Sequence, residues 1–312
     1  MKHAIVLQAF NLAKGHSINS KNLNWKSIEE DILQQANQLN SEKDLYNILQ
    51  TLINRLEDQH SYLITAEGKR WQKVAKISRG VTKNRVHLDE LRNAKIAYIE
   101  VNPMSSSMEL EMNTYAENLY NTIILSYKID MTGWILDFRE NTGGQLWPML
   151  AGLSPLINSD IAGNAIYPNG NNWQWWAKHG KTGVGKNIHH QIGSANNLVL
   201  KKRPIVILIS KKTASSGEAG VISFIGQDDL CLIGEQTRGL ATVNQPFELD
   251  NGAKLMLTTA YFGDRNKKIY PDGIEPDIII SNATENKSDN DIQLKTAIEW
   301  FKKHKEVSSK KI

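Results

Sequence analysis

The 312-residue sequence lacks several features that would place it in a specialised class of protein. It contains one cysteine, Cys231, which excludes an intrachain disulfide and a metal site built from cysteines. No stretch approaches the roughly 20 apolar residues that a membrane-spanning helix needs. The basic residues form no stripe interleaved with aromatic residues, the pattern that single-strand nucleic-acid binders use. We therefore expect no membrane span in this chain and no nucleic-acid partner.

What is present is the composition of a globular protein, with 40% hydrophobic residues, 22% charged residues and a formal net charge of +4. The N-terminus has a basic start, but its apolar run is very short and no small-residue cleavage site follows. We interpret this segment as a helix rather than a signal peptide. A cytoplasmic protein is the expectation that follows.

Helical and strand-like patterns alternate along the chain. The first 60 or so residues carry helical patterns, with Asn24 and Ser41 as N-cap candidates. Residues 155–200 are rich in Asn, Gly and Trp, and their poor periodicity predicts a long irregular lid or cap. Apolar, β-branched runs predict strands near residues 96–101, 134–138, 204–210, 230–234 and 254–262. The alternation predicts an α/β core.

The most informative segment is Thr-Ala-Ser-Ser-Gly-Glu at residues 213–218, between a predicted buried strand and a helix start. Free N–H groups and the positive end of the helix dipole lie at a helix N-terminus. A serine hydroxyl placed there is well positioned to act as a nucleophile, with donors at hand for an oxyanion. An ordinary helix N-cap explains the same residues, and the hexapeptide alone favours the cap.

Four further segments change that judgement, at residues 56–61, 135–144, 234–239 and 272–277. Together with the hexapeptide they resemble the tail-specific, or C-terminal processing, serine peptidases. The similarity includes the tricorn-core and nisin-resistance peptidases of that family, and it runs from Trp25 to the final helix. It implies a crotonase/ClpP-like ββα core with an N-terminal helical bundle and a cap segment. The five segments appear in the family's order and spacing.

The resemblance places the nucleophile at Ser215, three residues before Glu218, with Ser216 as the rival. A serine needs a base to become nucleophilic. Family members that carry a PDZ domain use a lysine whose position here is Leu240, and a leucine accepts no proton. Lys254 and Lys267 are the other lysines considered, and their spacing supports neither.

The PDZ-less branch takes its base from the N-terminal helical region, and His60 occupies that position. A histidine at a helix end is otherwise a partner of the helix dipole. Here it coincides with the family motif while the lysine is missing, so His60 is the predicted general base.

The third member of the site stays open. Tricorn-like members have a glutamate at the position of Tyr270, so this chain departs from that pattern. Asp272, Glu218 and Asp58 are the candidates for an acid that orients the imidazole. A simple serine–histidine dyad is a further alternative.

The resemblance also assigns backbone donors and substrate contacts. It implies an oxyanion hole made by the N–H groups of Gly143, Gly144 and Ser216, although a tight turn alone would also explain the two glycines. Arg238 either holds a substrate carboxylate or pairs with Glu235. The predicted substrate-binding residues are Asn141, Thr142, Thr237 and Arg238.

Only 35 residues, 61–95, separate His60 from the strand that begins at Ile96, which is too few for a PDZ domain. We therefore predict an N-terminal bundle at 1–65 and a connecting segment at 66–94. The protease core follows at 95–285, with the cap at 155–200, and a C-terminal helix and basic tail occupy 286–312.

The sequence thus predicts a serine endopeptidase that cuts peptides near their C-terminus through an acyl-enzyme, without metal or organic cofactor. An antimicrobial, lantibiotic-like peptide is the substrate that the overall layout suggests. Two alternatives remain. One is a catalytically inactive peptide-binding protein, motivated by Leu240 and Tyr270. The other is a crotonase-type enzyme that binds coenzyme A, which would leave the serine motif unexplained.

Overall fold

A computed structural model describes residues 2–71, 88–195, 199–281 and 291–309. The chain divides into two compact units. The first comprises residues 1–79, 166–172 and 242–261, and the second comprises 80–165, 173–241 and 262–312. The first unit therefore includes residues 242–261, which the sequence analysis assigned to the core. Much of the predicted connecting segment and the end of the predicted tail lie outside the described residues.

The first unit contains three helices, α1 (Lys2–His16), α2 (Trp25–Ala36) and α3 (Glu42–Asn54). The predicted N-caps are confirmed. The Asn24 side chain accepts the N–H of Ser27 at 3.2 Å. Ser41 and Asp44 form a reciprocal capping box with bonds of 3.1 and 2.8 Å, so aspartate replaces the glutamate or glutamine that this motif prefers. The apolar faces of the three helices share one buried cluster.

Three antiparallel strands complete the first unit, namely β1 (Tyr62–Ile64), β10 (Thr242–Glu248) and β11 (Lys254–Gly263), although the last two residues of β11 belong to the second unit. Met256 of β11 lies opposite Tyr62 on one side and Pro246 on the other, so β11 lies between β1 and β10. The sequence patterns did not predict β10. Its proline lacks the N–H that a strand interior needs, and proline is tolerated mainly on edge strands.

The second unit is built on a five-stranded parallel sheet in the order β12-β9-β8-β3-β2. The predicted α/β core is confirmed. These strands are β2 (Ile96–Glu100), β3 (Gly133–Asp137), β8 (Ile205–Ile209), β9 (Leu230–Gly234) and β12 (Ile278–Ile279). The helices of this unit are α4 (Leu88–Ala94), α5 (Glu109–Ser126), α6 (Leu146–Leu153), α7 (Ser216–Ile222) and α8 (Ile292–Ser309).

Adjacent parallel strands bring their carboxyl ends to one edge of the sheet, where ligands commonly bind in α/β proteins. Leu136 of β3 lies opposite Ile207 of β8, and both are fully buried. The segments that leave these two strands therefore start side by side. They include parts of two of the five segments of the family resemblance, residues 135–144 and 213–218.

The expectation that residues 155–200 lack regular structure was wrong, while their role as a cap stays a prediction. A short 3₁₀ turn (Ser154–Leu156) is followed by β4 (Gly163–Ile166), β5 (Asn172–Lys178), β6 (Lys181–Val184) and β7 (Asn187–Gln191). Strands β5, β6 and β7 pair in antiparallel order. They are four to seven residues long, too short for a clear alternation, and the positive φ of Gly180 and Gly185 supports the tight turns that join them.

No helix in the described ranges combines the length and the apolar character that crossing a membrane requires.

Candidate active site

The turn after β3 is built around the buried side chain of Asn141. Its amide donates to the carbonyl of Val101 at 2.9 Å, and its Oδ1 accepts the N–H of Gly143 at 2.9 Å. Gly143 and Gly144 have φ of +98° and +112°, as the two-glycine turn predicted. A Cβ on Gly144 would lie 1.9 Å from the carbonyl oxygen of Met104, so only glycine fits there.

Ser215 lies on a strained turn between β8 and α7. Its backbone has φ +55° and ψ −122°, and its side chain is half-buried at the helix N-terminus. A non-glycine residue costs about 1–3 kcal/mol in such a conformation, and strain of this kind concentrates at functional sites. The same strand–turn–helix geometry presents the nucleophile in other hydrolases.

The two turns contact each other directly. The N–H of Ala214 donates to the carbonyl of Asn141 at 3.0 Å, and the hydroxyl of Ser216 donates to the carbonyl of Gly144 at 2.7 Å. A Cβ on Gly143 would lie 2.9 Å from the Cβ of Ser215. Because the Ser216 hydroxyl is engaged in joining the turns, the geometry favours Ser215 over Ser216 as nucleophile.

The three N–H groups predicted to form the oxyanion hole differ in whether they already have a hydrogen-bond acceptor. The N–H of Gly143 is bonded to Asn141. Within the described ranges, no acceptor is found for the N–H groups of Gly144 and Ser216. These two N–H groups are therefore available to donate to an anionic oxygen.

Glu218 is fully buried and accepts four hydrogen bonds. Burial raises the pKa of its carboxyl, against the opposing effect of the bonds that it accepts. Its Oε2 accepts the N–H groups of Ser215 and Leu240, both at 2.9 Å. Its Oε1 accepts the Thr237 hydroxyl at 2.6 Å and the Gly239 N–H at 3.0 Å. This carboxylate therefore joins the Ser215 turn to residues 237–240.

The turn after β3 also contains a buried ion pair. Arg139 contacts Asp137 at 2.6 Å and Asp291, just before α8, at 2.8 Å. Burial opposes ionisation of Asp137, but the guanidinium and the hydroxyl of Tyr98 hold the pKa of that carboxyl below its usual value. The ion pair therefore links the end of β3 to Asp291 and has a structural role.

No lysine considered from the sequence has the surroundings of a base. The family position of the lysine holds Leu240, whose N–H bonds to Glu218. Lys254 forms an ion pair with Glu248 at 2.8 Å, and Lys267 is exposed in a surface turn.

His60 lies in the loop between α3 and β1, because α3 ends at Asn54. It is therefore not the helix-end histidine that a dipole partner would require. Oδ1 of Asp58 accepts the N–H groups of His60 and Ser61 at 2.9 and 2.6 Å, which fixes the backbone of this loop. Asp58 thus positions His60 by accepting a hydrogen bond from the backbone N–H of His60.

The imidazole has a partner that the sequence analysis missed. Nδ1 of His60 lies 2.7 Å from the hydroxyl oxygen of Thr242, at the start of β10. When that oxygen accepts the Nδ1 proton, Nε2 is the ring nitrogen with the lone pair. A lone threonine at the start of an unpredicted strand carries no sequence signal that would have identified it.

The other acids considered as orienting groups have different surroundings. Glu218 is engaged by its four donors. Asp272 is exposed, and its carbonyl oxygen accepts the side chain of Gln236 at 3.0 Å. Tyr270, at the family's glutamate position, is buried and donates to Asp264 at 2.9 Å, and burial raises its pKa.

The four residues predicted to bind substrate divide into two pairs. Asn141 and Thr237 are buried and bonded within the protein, which favours structural roles. Thr142 and Arg238 are exposed. The N–H of Arg238 donates to the carbonyl of Thr213 at 2.9 Å, so its backbone lies beside the Ser215 turn.

The expected alternative for Arg238 was an ion pair with Glu235. Glu235 instead contacts Lys211 at 3.3 Å. Among the residues that the structure describes, no carboxylate is found in ion-pair range of the Arg238 guanidinium. Likewise, no group of three or more His, Cys, Asp or Glu side chains in the described part of the chain is arranged to hold a metal ion.

Comparison with known proteins gives matches in one family. The model of peptidase family S41 matches residues 95–280. The nisin-resistance protein of Lactococcus lactis subsp. lactis is 30% identical over 201 residues, which are 64% of this chain and 58% of that protein. The carboxy-terminal processing protease of Bacillus subtilis is 27% identical over 198 residues, covering 61% of this chain and 36% of the relative. The chain thus spans little more than half of these relatives at most.

Solved structures give the same fold. A lipoprotein from Streptococcus agalactiae superimposes with a TM-score of 0.74 at 24% identity, covering 97% of this chain and 96% of the other. The photosystem II D1 C-terminal processing protease does so with a TM-score of 0.52 at 12% identity, covering 90% of this chain and 93% of the other. At these identities the likeness concerns the fold alone, and it confirms the expected fold class.

Proposed function

Because the chain belongs to peptidase family S41, we propose that it is a serine endopeptidase that cleaves peptides near their C-terminus through an acyl-enzyme. The observation that carries the proposal is the strained backbone of Ser215, with φ +55° at the start of α7. Such strain persists only where the surroundings enforce it, and here the Gly143–Gly144 turn and Glu218 do so.

In the proposed reaction, Oγ of Ser215 attacks the scissile carbonyl carbon while Nε2 of His60 accepts the hydroxyl proton. The N–H groups of Gly144 and Ser216 stabilise the resulting oxyanion. The imidazolium then protonates the leaving amine, and the C–N bond breaks to leave an ester on Ser215. Water, deprotonated by the same imidazole, hydrolyses the ester and restores the serine.

Thr242 supports this assignment of the base. When the Thr242 hydroxyl oxygen accepts the Nδ1 proton, Nε2 is left unprotonated, which is the form a general base requires. It is a neutral counterpart of the carboxylate that orients histidine in serine–histidine–aspartate sites.

Arg238 is the proposed recognition group for the substrate's C-terminal carboxylate. Its exposed guanidinium extends from a backbone that is bonded to Thr213, two residues before the nucleophile. A guanidinium binds carboxylates through two parallel hydrogen bonds. Such an anchor suits endopeptidase cleavage a few residues from the C-terminus.

A lantibiotic-like antimicrobial peptide is the proposed substrate class. The support is the 30% identity to the nisin-resistance protein of Lactococcus lactis subsp. lactis. A resistance role for this chain would follow from that substrate.

A cleavage assay tests the proposal. The protein is incubated with nisin and with linear peptides that have either a free or an amidated C-terminus, and the products are identified by mass spectrometry. We expect cleavage of free-carboxyl peptides by the wild type and none by Ser215→Ala. Binding of the peptides without any cleavage by the folded wild type would favour the inactive peptide-binding alternative.

A further inference from the structure

A row of aromatic rings runs through the second unit from its interior to its surface. The ring centroids of Phe262 and Trp175 lie 5.5 Å apart, those of Trp175 and Trp173 6.1 Å, and those of Trp173 and Trp147 6.4 Å. The last pair is Trp147 and His189, stacked at 4.5 Å with an interplanar angle of 13°.

The rings of this row differ in burial and in hydrogen bonding. Trp175 is fully buried and donates from Nε1 to the hydroxyl of Ser223 at 3.1 Å, so it is a core residue. Trp147 and Trp173 are half-buried, and His189 is exposed. The stacked pair therefore leaves aromatic surface accessible to solvent where a core role does not account for it.

The position of this surface relates it to the nucleophile. Trp147 is in the first turn of α6, three residues after Gly144, and the glycine turn contacts the Ser215 turn. Three residues of chain span at most about 10 Å, so the backbone of Trp147 lies within about 10 Å of Gly144. An extended peptide advances about 3.3 Å per residue, so this distance corresponds to about three substrate residues.

We propose that the Trp147–His189 pair is a specificity subsite for a bulky apolar side chain, above all an aromatic one, within about three residues of the cleaved bond. This inference rests on the proposed peptidase function and adds the side chain that the enzyme selects. Offset or edge-on packing against a ring adds to the burial of an aromatic side chain. In the described part of the chain no carboxylate forms an ion pair with His189.

The test separates binding from cleavage by using Ser215→Ala as the background. Peptides that differ only by Phe, Ala or Lys at one position, moved through three residues on either side of the cut, are titrated by calorimetry. We expect the Phe peptide to bind about tenfold more tightly than the Ala peptide at one position. Adding Trp147→Ala should abolish that preference, and adding His189→Ala should reduce it.

Trp176→Ala is the matched control. Trp176 is also half-buried and lies on β5, but its Nε1 donates to the carbonyl of Gly185 at 2.9 Å and it is not part of the row. This variant should keep the preference for Phe. His189→Ala changes only an exposed side chain, so it tests the subsite even where Trp147→Ala lowers the stability of the fold.

The outcomes distinguish the subsite from the peptidase function. Unchanged preference in both Trp147→Ala and His189→Ala would overturn the subsite, as would tighter binding of Lys than of Phe peptides. Phe-selective, Trp147-dependent binding by a wild type that cleaves nothing would retain the subsite and refute the peptidase. Cleavage with no preference for Phe would refute the subsite alone.

Discussion

Replacing Glu218 by glutamine keeps the shape of the side chain and removes its charge and half of its acceptor capacity. The carboxylate accepts from Ser215, Thr237, Gly239 and Leu240. The amide retains one oxygen, which can serve two of these donors, while its NH₂ faces the other two. The Thr237 hydroxyl can rotate to accept, but a backbone N–H cannot.

At least one buried N–H therefore loses its acceptor, which costs about 1–3 kcal/mol of unfolding free energy. Taking the middle of that range, about 2 kcal/mol, the Tm should fall by about 4–8 °C. Glu218 fixes the backbone of Ser215, so the rate of serine modification by a fluorophosphonate should fall as well.

Thermal melts and labelling time courses on Glu218→Gln and Glu275→Gln measure both effects. Glu275 is exposed, so the control removes the same charge without touching the network. If the two variants matched in Tm and in labelling rate, the role assigned to the buried carboxylate would be refuted.

Three further expectations concern the same residues. Ser215→Gly should be about 1 kcal/mol more stable than Ser215→Ala in urea unfolding, because only glycine relieves the positive φ; equal stabilities would argue against backbone strain. Thr242→Val should lower kcat about five- to tenfold through loss of a neutral hydrogen bond to His60, with KM unchanged; an unchanged kcat would remove Thr242 from the site. Burial raises the pKa of Glu218, so the folded state holds its proton more tightly than the unfolded chain does. The stability that this proton contributes is therefore lost as pH rises from the unfolded pKa, about 4.3, through the pKa of the folded state. The stability of the wild type minus that of Glu218→Gln should therefore fall across this window in urea melts at several pH values; a rise would contradict the direction of the shift.

The parts of the fold that follow from local chemistry were predictable. Strands β3 and β8 are continuous apolar runs because they are buried on both faces, and such runs are visible in a sequence. The capping residues Asn24 and Ser41 act within three residues of their partners, so their chemistry is also local. The positive φ of Gly143 and Gly144 follows from the tight turn that they form.

The parts that depend on distant partners were not predictable. Thr242 contacts His60 across 182 positions of sequence, and nothing near either residue marks the pair. The Ser216 hydroxyl bonds to Gly144 across 72 positions, so its structural engagement is visible only in the fold. Strand β10 was hidden by Pro246, because proline is found in strands mainly at edge positions.

If Ser215 is an activated nucleophile, it should react with a fluorophosphonate. The folded protein is treated with this reagent, and the modified residue is identified by peptide mapping with mass spectrometry. We expect one stoichiometric adduct on Ser215, none on Ser215→Ala and much slower labelling of His60→Ala. Absence of any adduct on the folded wild type, or an adduct on Ser216 instead, would show that Ser215 is not the activated nucleophile.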